Sequence, residues 1–245
     1  MSIRKTDQIY KSPLEKLTDF EFNNQVVSVF EDMINRSVPG YATIVHSMAN
    51  FARLFAKESS NCYDLGCSLG ACALSMRQAL EQQKDVTIIG VDCSADMIQR
   101  ATEFIAQDQH NTPVVLKTAD ILETPLTNAS LVSLNFTLQF IPPEHRQTLI
   151  ETVYQGMNPG GCLVLSEKIK FPDSDVQEII TELHHSFKAD QGYSELEISQ
   201  KRDALENVMR LDTQQQHMER LKKAGFRTMT QWYQNTSFVS FYAIK

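Results

Sequence analysis

Residues 61–80 hold the feature that most constrains this chain. An apolar, strand-like run, Asn61-Cys62-Tyr63-Asp64-Leu65, ends in a short loop, Gly66-Cys67-Ser68-Leu69-Gly70, and a helical run follows from Ala71 to Leu80. Glycine adopts left-handed backbone angles freely and lets a ligand approach the main chain with no Cβ in the way. The helix behind the loop offers free N–H groups to a polar ligand edge. Strand, tight loop and helix in that order form the opening unit of a sheet wound with helices.

The pattern repeats downstream. Val86 to Val91 reads as a second strand ending at Asp92; Ser94 caps the next helix, with Asp96 in its first turn. Met97, Ile98, Ala101, Phe104 and Ile105 form that helix's inner face. Val114 to Lys117 and Leu131 to Phe136 are further strands, and Pro143 suits the start of a helix because its missing N–H costs nothing there. Met157-Asn158-Pro159-Gly160-Gly161 reads as a turn leading into the strand Cys162 to Leu165. Near-continuous apolar strands between amphipathic helices predict an α/β, Rossmann-like, mostly parallel sheet with helices on both faces.

Two segments frame this unit. Residues 1–58 read as an N-terminal helical cap. Val26, Phe30, Met33 and Ile34 share one helical face, and Ser37-Val38-Pro39-Gly40 breaks that helix. Tyr41, Ile44, Val45, Met48, Ala52 and Phe55 form the next stripe, so the break sets Tyr41 over the ligand site. Residues 59–245 form the second domain, with a helical insertion at about 172–210. There Val176, Ile179, Ile180, Leu183 and Phe187 share a face, and a second helix runs from Ser194 to Met209. A helix from Thr213 to Ala224 stops at Gly225. Phe226 to Tyr233, with Trp232 and Tyr233 in the core, and Phe238 to Ile244 bring the sheet to seven strands.

A net charge of −7 argues against broad electrostatic binding to nucleic acid, and no apolar run reaches membrane-spanning length. Five cysteines, an odd number, and a polar N-terminus without a signal-peptide core predict reduced thiols in the cytoplasm. Cys62, Cys67 and Cys72 read as small residues packed around the loop, not as metal ligands. Adjacent His184 and His185 face different ways on a helix and lack a further ligand at zinc spacing, so no metal is expected. His145 and Arg146 read as solvated.

In open α/β sheets ligands bind beyond the carboxyl ends of the strands at the switch point. Four strand ends deliver Gly66-Cys67-Ser68, Asp92, Asp120-Ile121 and Asn135 there. Asp92 suits the two hydroxyls of a ribose. Asp120 suits an adenine amino group and Ile121 its face. A nicotinamide dinucleotide needs G-x-G-x-x-G for its pyrophosphate; the spacing Gly66-x-x-x-Gly70 favours S-adenosylmethionine, which has no phosphate. Asn135-Phe136-Thr137-Leu138 lacks the Pro-Pro-aromatic that amino methyltransferases carry. Arg202 falls on the stripe Ile198, Leu205, Met209, where a guanidinium needs a partner. It either snorkels or pairs with Glu206, or it clamps a carboxylate.

The loop resembles the first nucleotide-binding loop of S-adenosylmethionine-dependent enzymes of the class I methyltransferase fold. Over nearly its whole length the sequence resembles the carboxy-S-adenosylmethionine synthases, through Arg36-Ser37-Val38-Pro39-Gly40-Tyr41, Tyr63–Gly70, Leu134-Asn135-Phe136-Thr137-Leu138-Gln139-Phe140 and Gly192–Arg202. The resemblance implies conversion of S-adenosylmethionine and prephenate to carboxy-S-adenosylmethionine and phenylpyruvate. The product would serve a tRNA carboxymethyltransferase acting on wobble 5-hydroxyuridine. It implies a ligand set of Tyr41, Gly66, Cys67, Ser68, Asp92, Cys93, Asp120, Ile121, Asn135 and Arg202, with Cys93 contributing backbone. It also implies a homodimer in which Arg202 reaches the added carboxylate across the interface. Arg36 and Lys168 are candidates for the carboxylates of prephenate. A small-molecule methyltransferase and a non-catalytic binding protein on the same fold stay open at this point.

Overall fold

The structure is a computed structural model and describes residues 6–13, 20–205 and 207–245. Glu206, and with it the pairing expected for Arg202, lies outside the described residues. The elements run α1 (Asn24–Val27), α2 (Phe30–Ser37), α3 (Tyr41–Phe55), β1 (Asn61–Leu65), α4 (Ala71–Ala79), β2 (Thr87–Asp92), α5 (Ala95–Gln107), β3 (Val114–Thr118) and β4 (Ala129–Asn135). Then follow a single 3-10 turn (Leu138–Phe140), α6 (Pro143–Gly156), β5 (Met157–Lys168), α7 (Ser174–Asp190), α8 (Glu195–Leu205), α9 (Gln214–Ala224), β6 (Thr228–Asn235) and β7 (Phe238–Ile244).

The seven strands form one sheet in the order β3-β2-β1-β4-β5-β7-β6. β1 to β5 run parallel, and β7 runs antiparallel to both its neighbours. Side chains alternate across this sheet. Tyr63, Leu65, Val132, Leu134, Leu163 and Leu165 pack with Leu149, Ile150 and Val153 of α6 and Leu221 of α9. Cys62, Leu131, Cys162 and Val164 pack with Met48 and Ala52 of α3 and Ala73 and Met76 of α4. Helices therefore cover both faces, as the unbroken apolar strands require. Because β1 has β2 on one side and β4 on the other, the chain leaves it in opposite directions and opens a crevice at its C-terminal end.

Four local expectations need correction. The stripe Val26–Ile34 belongs to two helices, α1 and α2, with a break at Ser28-Val29. The segment 157–161 is not a turn ahead of β5 but a bulge within it: Ala129 pairs with Met157 and Leu131 with Cys162, so residues 158–161 loop out. α8 stops at Leu205, well short of Met209. Trp232 and Tyr233 are half-buried on the edge strand β6 rather than core.

The largest correction concerns Arg146, which is 1% exposed instead of solvated. A buried guanidinium is costly unless its donors are all used. Arg146 donates to Asp212 Oδ2 at 2.8 Å, to the Ile141 carbonyl at 2.8 Å and to the Arg210 carbonyl at 2.8 Å. Arg220 donates to the same Asp212 oxygen at 2.6 Å. Burial opposes the charge of Asp212, but the two guanidiniums outweigh it and hold the carboxyl below its usual range. This network joins the turn after β4 to the segment before α9. Arg146→Met should lower the free energy of unfolding in urea by about 3 kcal/mol, since Asp212 then loses a buried partner; a loss below about 1 kcal/mol would contradict the role given to the network.

Candidate functional site

The crevice at the end of β1 opens into a cavity of about 990 Å³. Its floor is the loop after β1. The N–H groups of Gly66 and Cys67 both donate to the Val91 carbonyl, at 2.8 and 3.0 Å, so β2 holds the loop in place. Gly66 has φ +75°, and a Cβ there would lie 2.3 Å from Thr137 Oγ1, so only glycine fits. Thr137 Oγ1 itself donates to the Leu65 carbonyl at 3.0 Å. Asp64 is buried and accepts from the Ala73 N–H at 3.1 Å; it anchors the start of α4, and burial pushes its carboxyl up to about 7.

Asp92 stands beside this loop. Ser68 N–H donates to its Oδ2 at 2.8 Å and Ser94 N–H to its Oδ1 at 2.9 Å. Each oxygen keeps a second lone pair, so the carboxylate still has two acceptor positions for a diol. Burial raises its pKa, and the two amide donors oppose that rise. Asp120, past β3, accepts from Leu122 N–H at 2.8 Å, which fixes the turn that brings in Ile121. Cys93 is exposed, whereas Cys67 and Cys72 are buried at the cavity wall and Cys62 is buried in the sheet. Asn135 ends β4, and its Oδ1 is buried with no hydrogen-bond partner among the described residues. A buried acceptor left unpaired costs about 1–3 kcal/mol, so this atom calls for a donor from a ligand.

From the opposite side, α3 begins at Tyr41 behind Gly40. Gly40 has φ +80°, and a Cβ there would fall 1.5 Å from the Tyr233 hydroxyl. The close approach of Tyr233 thus demands glycine and sets the angle at which α3 enters. The Tyr41 ring lies 6.4 Å from that of Phe136. Tyr41, Gly66, Cys67, Ser68, Asp92, Cys93, Asp120, Ile121, Asn135 and Arg202 all border this one cavity. Lys168 borders it too, but Arg36 does not; Arg36 donates to the Gln191 carbonyl and to Asp32.

The remaining wall is basic. α7 turns its polar side inward: Gln177, Thr181, His184 and Lys188, spaced four, three and four apart, border the cavity. Its apolar stripe faces out, with Val176 41%, Ile179 61% and Leu183 52% exposed. Both His184 and His185 reach the cavity, although adjacent positions on a helix were expected to diverge. His184 Nε2 lies 2.8 Å from the Ser37 carbonyl and donates to it; burial, then Lys168 and Lys188, push its pKa down to about 3, so it is neutral at pH 7. On α8 the buried cation is Lys201, not Arg202. Lys201 Nζ sits 2.8 Å from Ser37 Oγ and 3.7 Å from Asp7 Oδ2. Arg202 is 60% exposed at its side chain and bonds Asp203 Oδ1 at 3.1 Å.

Sequence reasoning missed Lys188 and Lys201. The signal was present as i, i+4 spacing from His184 and one residue's rotation from Arg202, but an apolar stripe on α7 pointed to the wrong inner face. Burial, then Lys201, Lys168 and Arg202, lower Lys188 to about 7, and burial alone lowers Lys168 to about 8. Burial raises both Asp64 and Asp92 against their hydrogen-bond donors, with no cation among the causes. Acids from β1 to β3 therefore form one side of the cavity, and cations from β5, α7 and α8 form the other. A sulfonium nucleoside fits the acidic side: a diol for Asp92, an amino group for Asp120, and a donor for Asn135 Oδ1.

The family profile described as a methyltransferase domain matches residues 63–161. A putative O-methyltransferase of Nostoc punctiforme PCC 73102 superposes with a TM-score of 0.63 at 16% identity, covering 90% of this chain and 59% of its own length. Profile and superposition together define the methyltransferase fold. Carboxy-S-adenosyl-L-methionine synthase of Geobacter sp. (strain M21) is 52% identical over 243 residues, 99% of each chain. The enzyme of the same name from Actinobacillus succinogenes is 51% identical over 98% of this chain and 99% of its own. The chain belongs to the carboxy-S-adenosyl-L-methionine synthase family.

Asn135→Leu separates binding from stability. Removing an unpaired buried acceptor should leave the unfolding midpoint unchanged or raised, while affinity for S-adenosylmethionine in calorimetry should drop by about tenfold or more. Unchanged affinity would show that Asn135 Oδ1 meets no ligand donor.

Proposed function

We propose that the chain converts S-adenosyl-L-methionine and prephenate to carboxy-S-adenosyl-L-methionine, phenylpyruvate and water. One observation carries this reading: the cavity has an acidic side suited to a cation and a basic side suited to a dicarboxylate. A simple methyl transfer has no use for Lys168, Lys188 and Lys201 beside the methyl donor.

In the balanced reaction the ring carboxylate of prephenate leaves as carbon dioxide, and the electrons of that bond expel the ring hydroxyl as hydroxide on aromatisation. Hydroxide takes one proton from the sulfonium methyl group, and that carbon is carboxylated. The side chains near the loop then have little proton transfer to perform. Their work is to hold two reactants together and to exclude water, so that carbon dioxide is captured before it escapes. Gly66, Cys67, Ser68, Asp92, Cys93, Asp120, Ile121 and Asn135 hold the nucleoside. Tyr41 and Phe136 close over the reacting carbon.

Arg202 stabilises the carboxylate that forms, and it does so from a second copy of the chain. Two features support that assembly. The apolar stripe of α7 is uncovered, which is unusual for Ile and Leu side chains on a single copy. Among the described residues Arg202 is held within its own copy by nothing stronger than its neighbour Asp203. We further propose a cytoplasmic role in which the product passes to a tRNA carboxymethyltransferase acting on wobble 5-hydroxyuridine. The acidic balance of −7 agrees with a chain that makes the donor and does not itself bind the RNA.

The test is a mass spectrum of small molecules after incubation with S-adenosylmethionine, with and without prephenate. The expected result is a prephenate-dependent product heavier by one carbon dioxide, lost in Arg202→Ala and in Asp92→Ala, and partly restored when the two inactive variants are mixed into shared dimers. S-adenosylmethionine unchanged in both samples would refute the synthase reading and turn attention to methyl acceptors. Failure of the mixture to recover activity would place Arg202 in its own subunit's site.

A further inference from the structure

Lys188 is 7% exposed, and its side chain makes no hydrogen bond or ion pair with any described residue. Lys168 is half-buried and equally unpartnered: its ammonium lies 5.7 Å from the Phe238 ring centre and has no anionic partner among the described residues. Both border the cavity. Lys201 differs, because Ser37 and Asp7 already engage it, and Tyr193 OH donates to the same Asp7 oxygen at 2.6 Å. Ammonium groups withdrawn from water without partners are costly, and two of them, one buried and one half-buried, opening on one cavity point to an anion that completes them.

We infer that Lys168 and Lys188 form a carboxylate anchor that grips the side-chain carboxylate of the dicarboxylate substrate, the one retained in the product. This rests on the reading of the second substrate given above. The choice between the two carboxylates follows from chemistry. A carboxylate held by two ammonium groups is stabilised as the anion and resists losing carbon dioxide. The carboxylate that leaves has to lie in an apolar, desolvated region, where its charged form is disfavoured. The cavity provides such a region in Phe136 and Phe140. The neutral His184, fixed by the Ser37 carbonyl, borders the anchor without adding a charge. Ser37 therefore orients both His184 and Lys201 and acts as a positioning residue for the basic side.

Phenylpyruvate is the probe, because it carries the retained carboxylate, lacks the departing one and does not react. Calorimetry is run on the full chain saturated with S-adenosylmethionine. Phenylpyruvate should bind the wild type, and affinity should fall by about tenfold in Lys168→Met or Lys188→Met, with Lys222→Met on the exposed end of α9 as the control. S-adenosylmethionine affinity should stay within about twofold in all three, which also shows that the variants fold. The methyl ester of phenylpyruvate should bind weakly and equally to all. Phenylpyruvate binding that ignores both lysines, or fails in the wild type, overturns the anchor. Lysine-dependent phenylpyruvate binding without any prephenate turnover keeps the anchor and rejects the synthase reading.

A second measurement on the unaltered chain needs no variant. The groups facing Lys188 are His184 and His185 on its own helix, Lys168 on β5, and Lys201 and Arg202 on α8, with Asp7 behind Lys201. An anion bound by Lys168 and Lys188 raises their proton affinity. Phenylpyruvate binding at pH 8 should therefore take up protons, read as a dependence of the heat on buffer ionisation enthalpy. Proton release, or no exchange, overturns the anchor.

Discussion

A single carbonyl, that of Val91, accepts from both Gly66 and Cys67 and so fastens the loop after β1 to the end of β2. This contact decides where everything else can stand. It brings the loop close enough for Ser68 N–H to reach Asp92, which orients the carboxylate by its backbone-facing lone pairs and leaves the others free. It also leaves no room for a side chain at Gly66, because Thr137 from the β4 end fills that space. Three strand ends are thereby packed against each other through the main chain. The acidic side of the cavity inherits the rigidity of the sheet.

The basic side is built by other means. Apart from Lys168 at the end of β5 it comes from α7 and α8, and its His184 and Lys201 are fixed by Ser37 and Asp7 instead of by sheet hydrogen bonds. Ser37 is the last residue of α2, so the helices ahead of β1 reach the site through it as well as through Tyr41. α7 is amphipathic in the unusual sense, with its polar side inward and its Ile and Leu outward. An inward polar side suits a cavity that holds charged reactants, and an outward apolar side suits the second subunit proposed above.

Much of this could be read in the chain. The strand–loop–helix unit at 61–80, the acid closing β2 and the Thr213 and Gly225 boundaries of α9 are local signals, set by glycine geometry and capping chemistry, and they appear where the pattern puts them. The candidate residues at the strand ends border one cavity because strand ends are near one another in any doubly wound sheet. Other residues obeyed tertiary facts that no window of sequence contains. Arg146 sits in a polar run, yet its partner Asp212 is 66 residues away. Lys188 and Lys201 are buried because a cavity, not a core, lies beside them. Periodicity identified an apolar stripe on α7 correctly but could not say whether the sheet or another molecule covers it.

The opposition of the two sides is tested most directly by a crystal structure of the chain with S-adenosylmethionine and phenylpyruvate bound together. The adenosyl group should lie on Asp92 and Asp120, with the sulfonium turned toward Asn135 and Phe136, and the phenylpyruvate carboxylate should lie within hydrogen-bond distance of Lys168 and Lys188. A carboxylate found among the acids of β1 to β3, or outside the cavity, would contradict the division of charge on which the proposed chemistry depends.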